Sequence, residues 1–165
     1  MHIEVLDTIE FSSGFDNPPD RDNPGQTQTA RSETRGRGQK ILVVDDSLAW
    51  LRLAREILTA GGYQVHACEH PPDALSLFKD NSQQFDLVIT DLQMPCLDGI
   101  ELAAELRKIN SALPVVLTSA AQVEMTSEKL QSLGIRDFVA KPWERERLFS
   151  VLRQVLANTP SGQTN

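Results

Sequence analysis

The sequence predicts an α/β domain in which five parallel strands alternate with five helices, a (βα)5 arrangement doubly wound around one sheet. Short apolar runs of four to six residues, rich in β-branched side chains, alternate along the chain with longer amphipathic segments. The runs show little of the apolar–polar alternation of a half-exposed strand, so each is expected to be covered on both faces, as in a parallel sheet. Right-handed crossovers between such strands place helices on both sides of the sheet.

Five apolar runs along the chain are the predicted strands. The runs are 41–44 (ILVV), 64–68 (QVHAC), 85–90 (FDLVIT), 114–117 (PVVL) and 137–140 (DFVA). Their content of β-branched and aromatic side chains favours strand over helix. The second run is the least apolar of the five.

The segments between the runs have the apolar spacing of helices and the residue types that begin or end them. Ser47 is the predicted N-cap of the first helix, which Gly61 ends. Pro71 begins the second helix, and Asp98 precedes the third. The fifth helix is predicted from a stripe at i, i+3, i+4 and i+7, which consists of Leu148, Val151, Leu152 and Val155.

The fourth helix is predicted within 121–133, where the apolar stripe is poor. Its only members are Val123, Leu130 and Leu133. Two tryptophans, Trp50 and Trp143, are expected to be helix residues that pack against the core.

The globular unit is predicted to span residues 40–157. Between residues 12 and 39 the only apolar side chains are Phe15 and Ala30, which cannot bury enough surface to offset the entropy of ordering the segment. Residues 1–39 are therefore a predicted disordered arm, although 1–11 are apolar enough for a short strand or a docking peptide. Residues 158–165 form a polar tail that is also predicted to be disordered.

Composition excludes several classes of protein. The formal net charge of −7 argues against non-specific DNA binding, which needs a basic face to neutralise phosphates. The absence of an apolar run of about 18 residues predicts no membrane span, and the N-terminus has no basic and apolar regions of a secretory signal. Cys68 and Cys96 suit neither a disulfide framework nor a zinc site, so a reducing cytoplasm is the expected location.

Polar side chains follow the predicted strands at the edge where ligands bind in open parallel α/β sheets. These side chains belong to Asp45, Asp46, Asp91, Ser119 and Lys141. Carboxylates that lie close together repel one another, so a hard cation such as partly hydrated Mg²⁺ is expected among them. One carboxylate can then attack phosphorus to form an aspartyl-phosphate, while the metal and the lysine neutralise the charge of the phosphoryl group.

Four segments carry a resemblance to a known family. They are ILVVDDS (41–47), DLVITDLQMPCLDGIEL (86–102), LPVVLTSA (113–120) and DFVAKPW (137–143). With these elements in this order, the chain resembles the receiver domain of two-component response regulators over about 40–157. The resemblance implies a flavodoxin-like receiver fold and a signalling switch controlled by phosphorylation.

The resemblance also implies roles for the acidic residues. Asp91 is the expected phosphoacceptor and also a metal ligand, and Asp46 is the expected direct Mg²⁺ ligand. Asp45 is expected to act on the metal through water, and Gln93 to offer its backbone carbonyl. The side chains of Gln93 and Ala121 are expected to flank the attacking water.

The resemblance implies roles for four further residues in the change that follows phosphorylation. Ser119 is the expected switch hydroxyl, with the adjacent Thr118 as the alternative, and Lys141 is the expected salt-bridge partner of the phosphoryl group. Phe138 stands at the aromatic switch position without the hydroxyl of the more frequent tyrosine. Pro142 is expected to follow a cis peptide bond.

The expected function is a phosphorylation-controlled switch with Mg²⁺ as its cofactor. A histidine kinase or histidine phosphotransfer protein is the expected phosphodonor, and altered binding to another protein, which the sequence does not identify, is the expected output. Because only nine residues follow Leu156, a stand-alone receiver of the chemotaxis or phosphorelay type, without DNA-binding output, is expected. Such a domain turns over no external substrate.

Two alternatives stay open at this point. One is a pseudo-receiver that binds protein partners constitutively. The other is a Mg²⁺-dependent phosphatase with an Asp nucleophile, which usually needs a second carboxylate two residues later, where this chain has Gln93.

Overall fold

A computed structural model describes residues 36–80 and 84–159 of the chain. The described residues form five parallel strands and five helices, which confirms the predicted (βα)5 fold. The strands are β1 (Lys40–Val44), β2 (Gln64–Cys68), β3 (Leu87–Asp91), β4 (Val115–Ser119) and β5 (Asp137–Ala140). The helices are α1 (Leu48–Ala60), α2 (Pro71–Asp80), α3 (Gly99–Ile109), α4 (Ser127–Leu133) and α5 (Arg145–Ala157).

The first strand along the chain, β1, lies inside the sheet and not at its edge. The order is β2-β1-β3-β4-β5, so β1 pairs with β2 on one side and with β3 on the other. In the parallel register, Ile41 lies opposite Val65 of β2 and opposite Leu87 of β3. Helices that follow β1 and β3 therefore leave toward opposite faces, and a crevice opens between the carboxyl ends of these two strands.

Two apolar clusters, one on each face, hold the helices on the sheet. The cluster beneath α1 and α5 includes Ile41, Val43, Leu51, Leu58, Ile89, Leu148 and Leu152. The cluster beneath α2, α3 and α4 includes Leu42, Val44, Phe78, Val88, Leu102, Leu106 and Leu130. Alternate residues of β1 enter opposite clusters, which is why its sequence is apolar throughout rather than alternating.

Two predicted caps are present at the helices that start beside the crevice. The Ser47 hydroxyl accepts a hydrogen bond from the backbone N–H of Trp50 at 3.5 Å. The carboxylate of Asp98 accepts hydrogen bonds from two N–H groups of α3, and the carboxylate of Glu101 accepts one from the backbone N–H of Asp98, which completes a capping box. Both caps fix where the helix begins relative to the end of the preceding strand.

The fourth helix is shorter than the segment that predicts it. It begins after the cap residue Thr126 and is seven residues long, and Leu130 is its one buried residue. The poor apolar stripe of 121–133 explains this, because residues that cannot pack on the sheet gain little from becoming helical. The expectation that Trp143 is a helix residue is wrong, since α5 begins only at Arg145.

The described chain begins beside the end of α1. The backbone N–H of Gly36 donates to the carbonyl of Gly61 at 2.7 Å, and that of Gly38 donates to Gly62 at 3.0 Å. The rest of the predicted arm and most of the predicted tail lie outside the described residues. No helix in the described ranges has the length and apolar character needed to cross a membrane.

Replacing Gly99 with alanine is expected to lower the free energy of unfolding by about 1–3 kcal/mol, because a Cβ there would overlap the carbonyl oxygen of Asp91. Urea denaturation measures the difference. Lys108→Ala, at an exposed position of the same helix, is the control, with an expected change of at most about 0.5 kcal/mol. Equal stability of Gly99→Ala and the wild type would contradict this close packing.

Candidate functional site

Four strands deliver polar side chains to one edge of the sheet. Asp91 and Ser119 are the last residues of β3 and β4, while Asp45 and Lys141 directly follow β1 and β5. The first three are buried, and the side chain of Lys141 is also almost fully enclosed. The strand ends therefore bring together four of the residues that the sequence analysis singles out.

Lys141 bridges the two buried carboxylates. Its Nζ lies 2.5 Å from Oδ2 of Asp45 and 2.5 Å from Oδ1 of Asp91. The three side chains are only 4–8% exposed, so their charges are shielded from water and are stabilised mainly by one another. Because one ammonium faces two carboxylates, this cluster of Lys141, Asp45 and Asp91, the ion trio, carries an excess of negative charge.

Backbone N–H groups orient the remaining carboxylate oxygens. Oδ2 of Asp91 accepts a hydrogen bond from the N–H of Gln93 at 2.8 Å, and Oδ1 of Asp45 accepts from the N–H of Ser47 at 3.0 Å. Each carboxylate thus closes a local turn with the residue two positions later. The rotamers of both aspartates are fixed by their own loops as well as by Lys141.

Burial changes the acidity of one member of the ion trio. Desolvation raises the pKa of Asp45 above its usual value, and the hydrogen bonds from Lys141 and Ser47 oppose that rise. A further positive charge near Asp45 would favour its ionised form. The site is therefore electrostatically suited to a cation.

Asp46 differs from its neighbour Asp45 because it is exposed. Among the described residues it forms no ion pair. Nor do three acidic, histidine or cysteine side chains within those residues converge into a ready-made metal cage. Mg²⁺ usually keeps several waters and takes only one or two carboxylates, so the oxygen donors of Asp46 and Asp91 fit it chemically.

The two adjacent hydroxyls at the end of β4 have different partners. The Thr118 hydroxyl accepts a hydrogen bond from the indole N–H of Trp143 at 2.8 Å. Among the described residues, the Ser119 hydroxyl accepts a hydrogen bond only from the N–H of Ala121, at 3.1 Å, within its own loop. Rotation of the Thr118 side chain would break its hydrogen bond with Trp143, whereas rotation of the Ser119 side chain would break a hydrogen bond within its own loop.

Phe138 lies on β5, and Pro142 lies two residues after the end of that strand. Phe138 is half-buried and packs against the cluster beneath α2, α3 and α4. The peptide bond between Lys141 and Pro142 is cis, and the N–H of Lys141 donates to the carbonyl of Ser119 at 2.8 Å. The backbone at Lys141 is thereby tied to the end of β4.

The sequence predicts only a packing role for Trp50 and Trp143, which the structure places at the site. The Trp50 ring lies with its centre 4.9 Å from Nζ of Lys141, and the ring centres of Trp50 and Trp143 are 5.8 Å apart. Trp50 follows Asp46 by about one helical turn, and Trp143 follows Lys141 by two residues. The short distance along the sequence from each tryptophan to a charged site residue is the one feature from which a place at the site could have been predicted.

Comparison with known families and proteins agrees with the geometry. The model of the response regulator receiver domain matches residues 41–153. The transcriptional regulatory protein ZraR of Salmonella typhimurium is 34% identical over 120 residues, which cover 72% of this chain and 26% of that protein. The response regulator MprA of Mycobacterium sp. (strain KMS) is 34% identical over 122 residues, which cover 73% of this chain and 51% of that protein.

This chain thus spans about a quarter to a half of the length of these relatives. What those whole proteins do does not transfer to it directly. Because one of the relatives is named a transcriptional regulator, the prediction that this protein has no DNA-binding output is not confirmed.

Solved structures show the same fold. A receiver domain protein from Clostridium thermocellum superposes with a TM-score of 0.67 at 25% identity, covering 72% of this chain and 94% of that one. The receiver domain of the Francisella response regulator 1452 gives a TM-score of 0.65 at 27% identity, covering 74% and 100%. The predicted family is confirmed by the family model and these structures: this chain belongs to the response regulator receiver domains of two-component signalling.

Proposed function

We propose that Asp91 of this domain accepts a phosphoryl group in the presence of Mg²⁺ and that the ion trio converts this event into a change of shape. The observation that carries the proposal is the buried bridge from Lys141 to Asp45 and Asp91. Keeping three charges out of water is costly, and such clusters occur where the charges perform chemistry. Receiver domains bind Mg²⁺ at an acidic pocket of this kind.

In the proposed transfer, a carboxylate oxygen of Asp91 attacks phosphorus and the bond to the donor nitrogen or oxygen breaks. Asp46, Asp91 and the backbone carbonyl of Gln93 would hold Mg²⁺, with Asp45 acting through a water. When bound there, Mg²⁺ would supply positive charge to offset the negative charge of the phosphoryl oxygens. Lys141 supplies the second positive charge, because its ammonium already lies 2.5 Å from Asp91.

Phosphorylation then replaces the single negative charge of the Asp91 carboxylate with a phosphoryl group that carries about −1.5 to −2 and adds strong hydrogen-bond acceptors. The Ser119 hydroxyl turns from the N–H of Ala121 toward the phosphoryl group, where it donates a hydrogen bond. Lys141 shares its ammonium with a phosphoryl oxygen. The loops after β4 and β5 move together since the N–H of Lys141 is bonded to the carbonyl of Ser119.

The proposed output of the domain itself is altered binding to another protein. Phe138 is half-buried beside α4, so a shift of the loop after β4 changes the space available to its ring. A histidine kinase or histidine phosphotransfer protein is the proposed phosphodonor. The free thiols of Cys68 and Cys96 fit the cytoplasmic location that we propose, and the net charge of −7 disfavours nucleic acid as a ligand of this domain.

Neither alternative function is favoured by the site. An Asp-nucleophile phosphatase needs an acid or base where this chain has Gln93, whose amide cannot serve. A domain that only binds partners constitutively would gain nothing from a desolvated ion trio, for which apolar side chains of similar volume are often equally or more stabilising. We therefore propose no turnover of an external substrate.

Asp91→Asn is expected to abolish labelling by a small phosphodonor such as acetyl phosphate with Mg²⁺, because the amide cannot act as the nucleophile. The wild type is expected to gain one phosphoryl group per chain, measured as a mass increase of the intact protein. Asp73→Asn, on the exposed surface of α2, is the matched control and should label like the wild type. Labelling of Asp91→Asn to the wild-type extent would place the acceptor elsewhere.

Asp46→Asn is expected to raise the Mg²⁺ concentration for half-maximal labelling at least about tenfold, since a charged oxygen ligand is lost. Because Asp46 is exposed, the substitution should change the free energy of unfolding of the protein by less than about 1 kcal/mol. Labelling rates are measured across a Mg²⁺ titration, with Asp73→Asn again as the control. An unchanged midpoint would remove Asp46 from the metal site.

A further inference from the structure

Lys141 has a third neighbour besides the two carboxylates. Two of its three N–H groups have acceptors in Asp45 and Asp91, each at 2.5 Å. The Trp50 ring centre lies 4.9 Å from the same Nζ, within the range of a cation–π contact. In the part of the chain that the structure describes, the ammonium is thus held by two anions and one aromatic ring.

The Trp50 ring is fixed from two directions. The backbone N–H of Trp50 donates to the Ser47 hydroxyl at 3.5 Å, and the backbone N–H of Ser47 donates to the carboxylate of Asp45 at 3.0 Å. On the other side, its ring packs against Trp143 with the planes inclined by 48°. The loop that orients Asp45 therefore also places the ring beside Lys141.

Trp143 anchors this pair to β4. Its indole N–H donates to the hydroxyl of Thr118 at 2.8 Å, and both residues are buried. Thr118 immediately precedes Ser119, the proposed switch hydroxyl. A connected set of contacts thus runs from Lys141 through the two tryptophans to the end of β4.

The burial of Lys141 determines how much the ring contact matters. Cation–π attraction is weak in water and much stronger when the cation is desolvated, and tryptophan is the most effective of the aromatic side chains. The Lys141 side chain is only 4% exposed. Its ammonium is therefore in the environment where an aromatic ring has the largest effect on its position.

We propose that Trp50 is a positioning residue for phosphoryl transfer, holding the Lys141 ammonium against Asp91 through its ring face. Trp50 does not touch the transferring phosphoryl group in this account. It acts by reducing the freedom of the ammonium to leave Asp91 for solvent. The inference rests on the proposed function of Asp91, and it adds a role that the acidic residues alone do not provide.

The first test compares labelling rates with acetyl phosphate and Mg²⁺ for Trp50→Leu and Trp50→Phe. Leucine removes the ring face, so the rate is expected to fall about fivefold to tenfold. Phenylalanine keeps a weaker ring face and is expected to recover most of the loss. Leu53→Ala, on the exposed side of α1, is the control and should label at the wild-type rate.

Each kinetic outcome has one meaning. A wild type that takes no label contradicts the proposed function of Asp91. A labelled wild type with an equal rate for Trp50→Leu contradicts the role of Trp50 and leaves that of Asp91 intact. Equally slow Leu and Phe variants would show that only the shape of tryptophan matters, which also overturns the proposal.

A second test detects the contact without any phosphorylation. The chain has two tryptophans, so Trp143→Phe makes Trp50 the only indole emitter. In that background, Lys141→Met is expected to shift the emission of Trp50, because it removes the cation from the ring face. Lys108→Met, which changes an exposed lysine, should leave the emission unchanged. Unchanged emission in Lys141→Met, in a protein that urea denaturation shows to be folded, would overturn the contact.

Discussion

The structure of the site depends on one buried ammonium that two buried carboxylates share. Lys141 comes from the end of β5, Asp91 from β3 and Asp45 from the loop after β1, so their meeting requires the four neighbouring strands β1, β3, β4 and β5. Removing Lys141 would leave two uncompensated carboxylates away from water, which is far more costly than the loss of an exposed ion pair. The same constraint makes the site responsive, because adding charge to Asp91 changes the balance for all three.

The sheet order explains why the candidate site lies between β1 and β3. Since β1 pairs with both β2 and β3, the helices after β1 and β3 leave on opposite faces and expose the crevice at their carboxyl ends. The caps of α1 and α3 begin those helices directly beside the crevice. Gly99 lets α3 start against the backbone of Asp91, so the packing of the fold and the position of the proposed phosphoacceptor depend on the same contact.

The aromatic pair extends the electrostatic centre toward the part of the fold that is proposed to move. Lys141 contacts Trp50, Trp50 packs on Trp143, and Trp143 bonds to Thr118, which precedes Ser119. Within this proposal, a change in the hydrogen bonds of Lys141 reaches the end of β4 by two routes, through its own backbone N–H and through the tryptophans. Such short, packed connections are the physical means by which a local charge change becomes a movement of loops.

The class of fold and the strand ends that carry the candidate site could be predicted from the sequence. Local features of a chain can be predicted from its sequence. Here they include apolar runs such as 41–44, caps such as Ser47 and Asp98, and the acidic and basic residues that follow the runs. The tertiary structure alone decided that Asp45 is buried while Asp46 is exposed, that α4 is short, and that Trp50 lies over Lys141. Periodicity reports which face of its own element a residue occupies, whereas these outcomes depend on distances between elements far apart in the chain, which the strand order and register set.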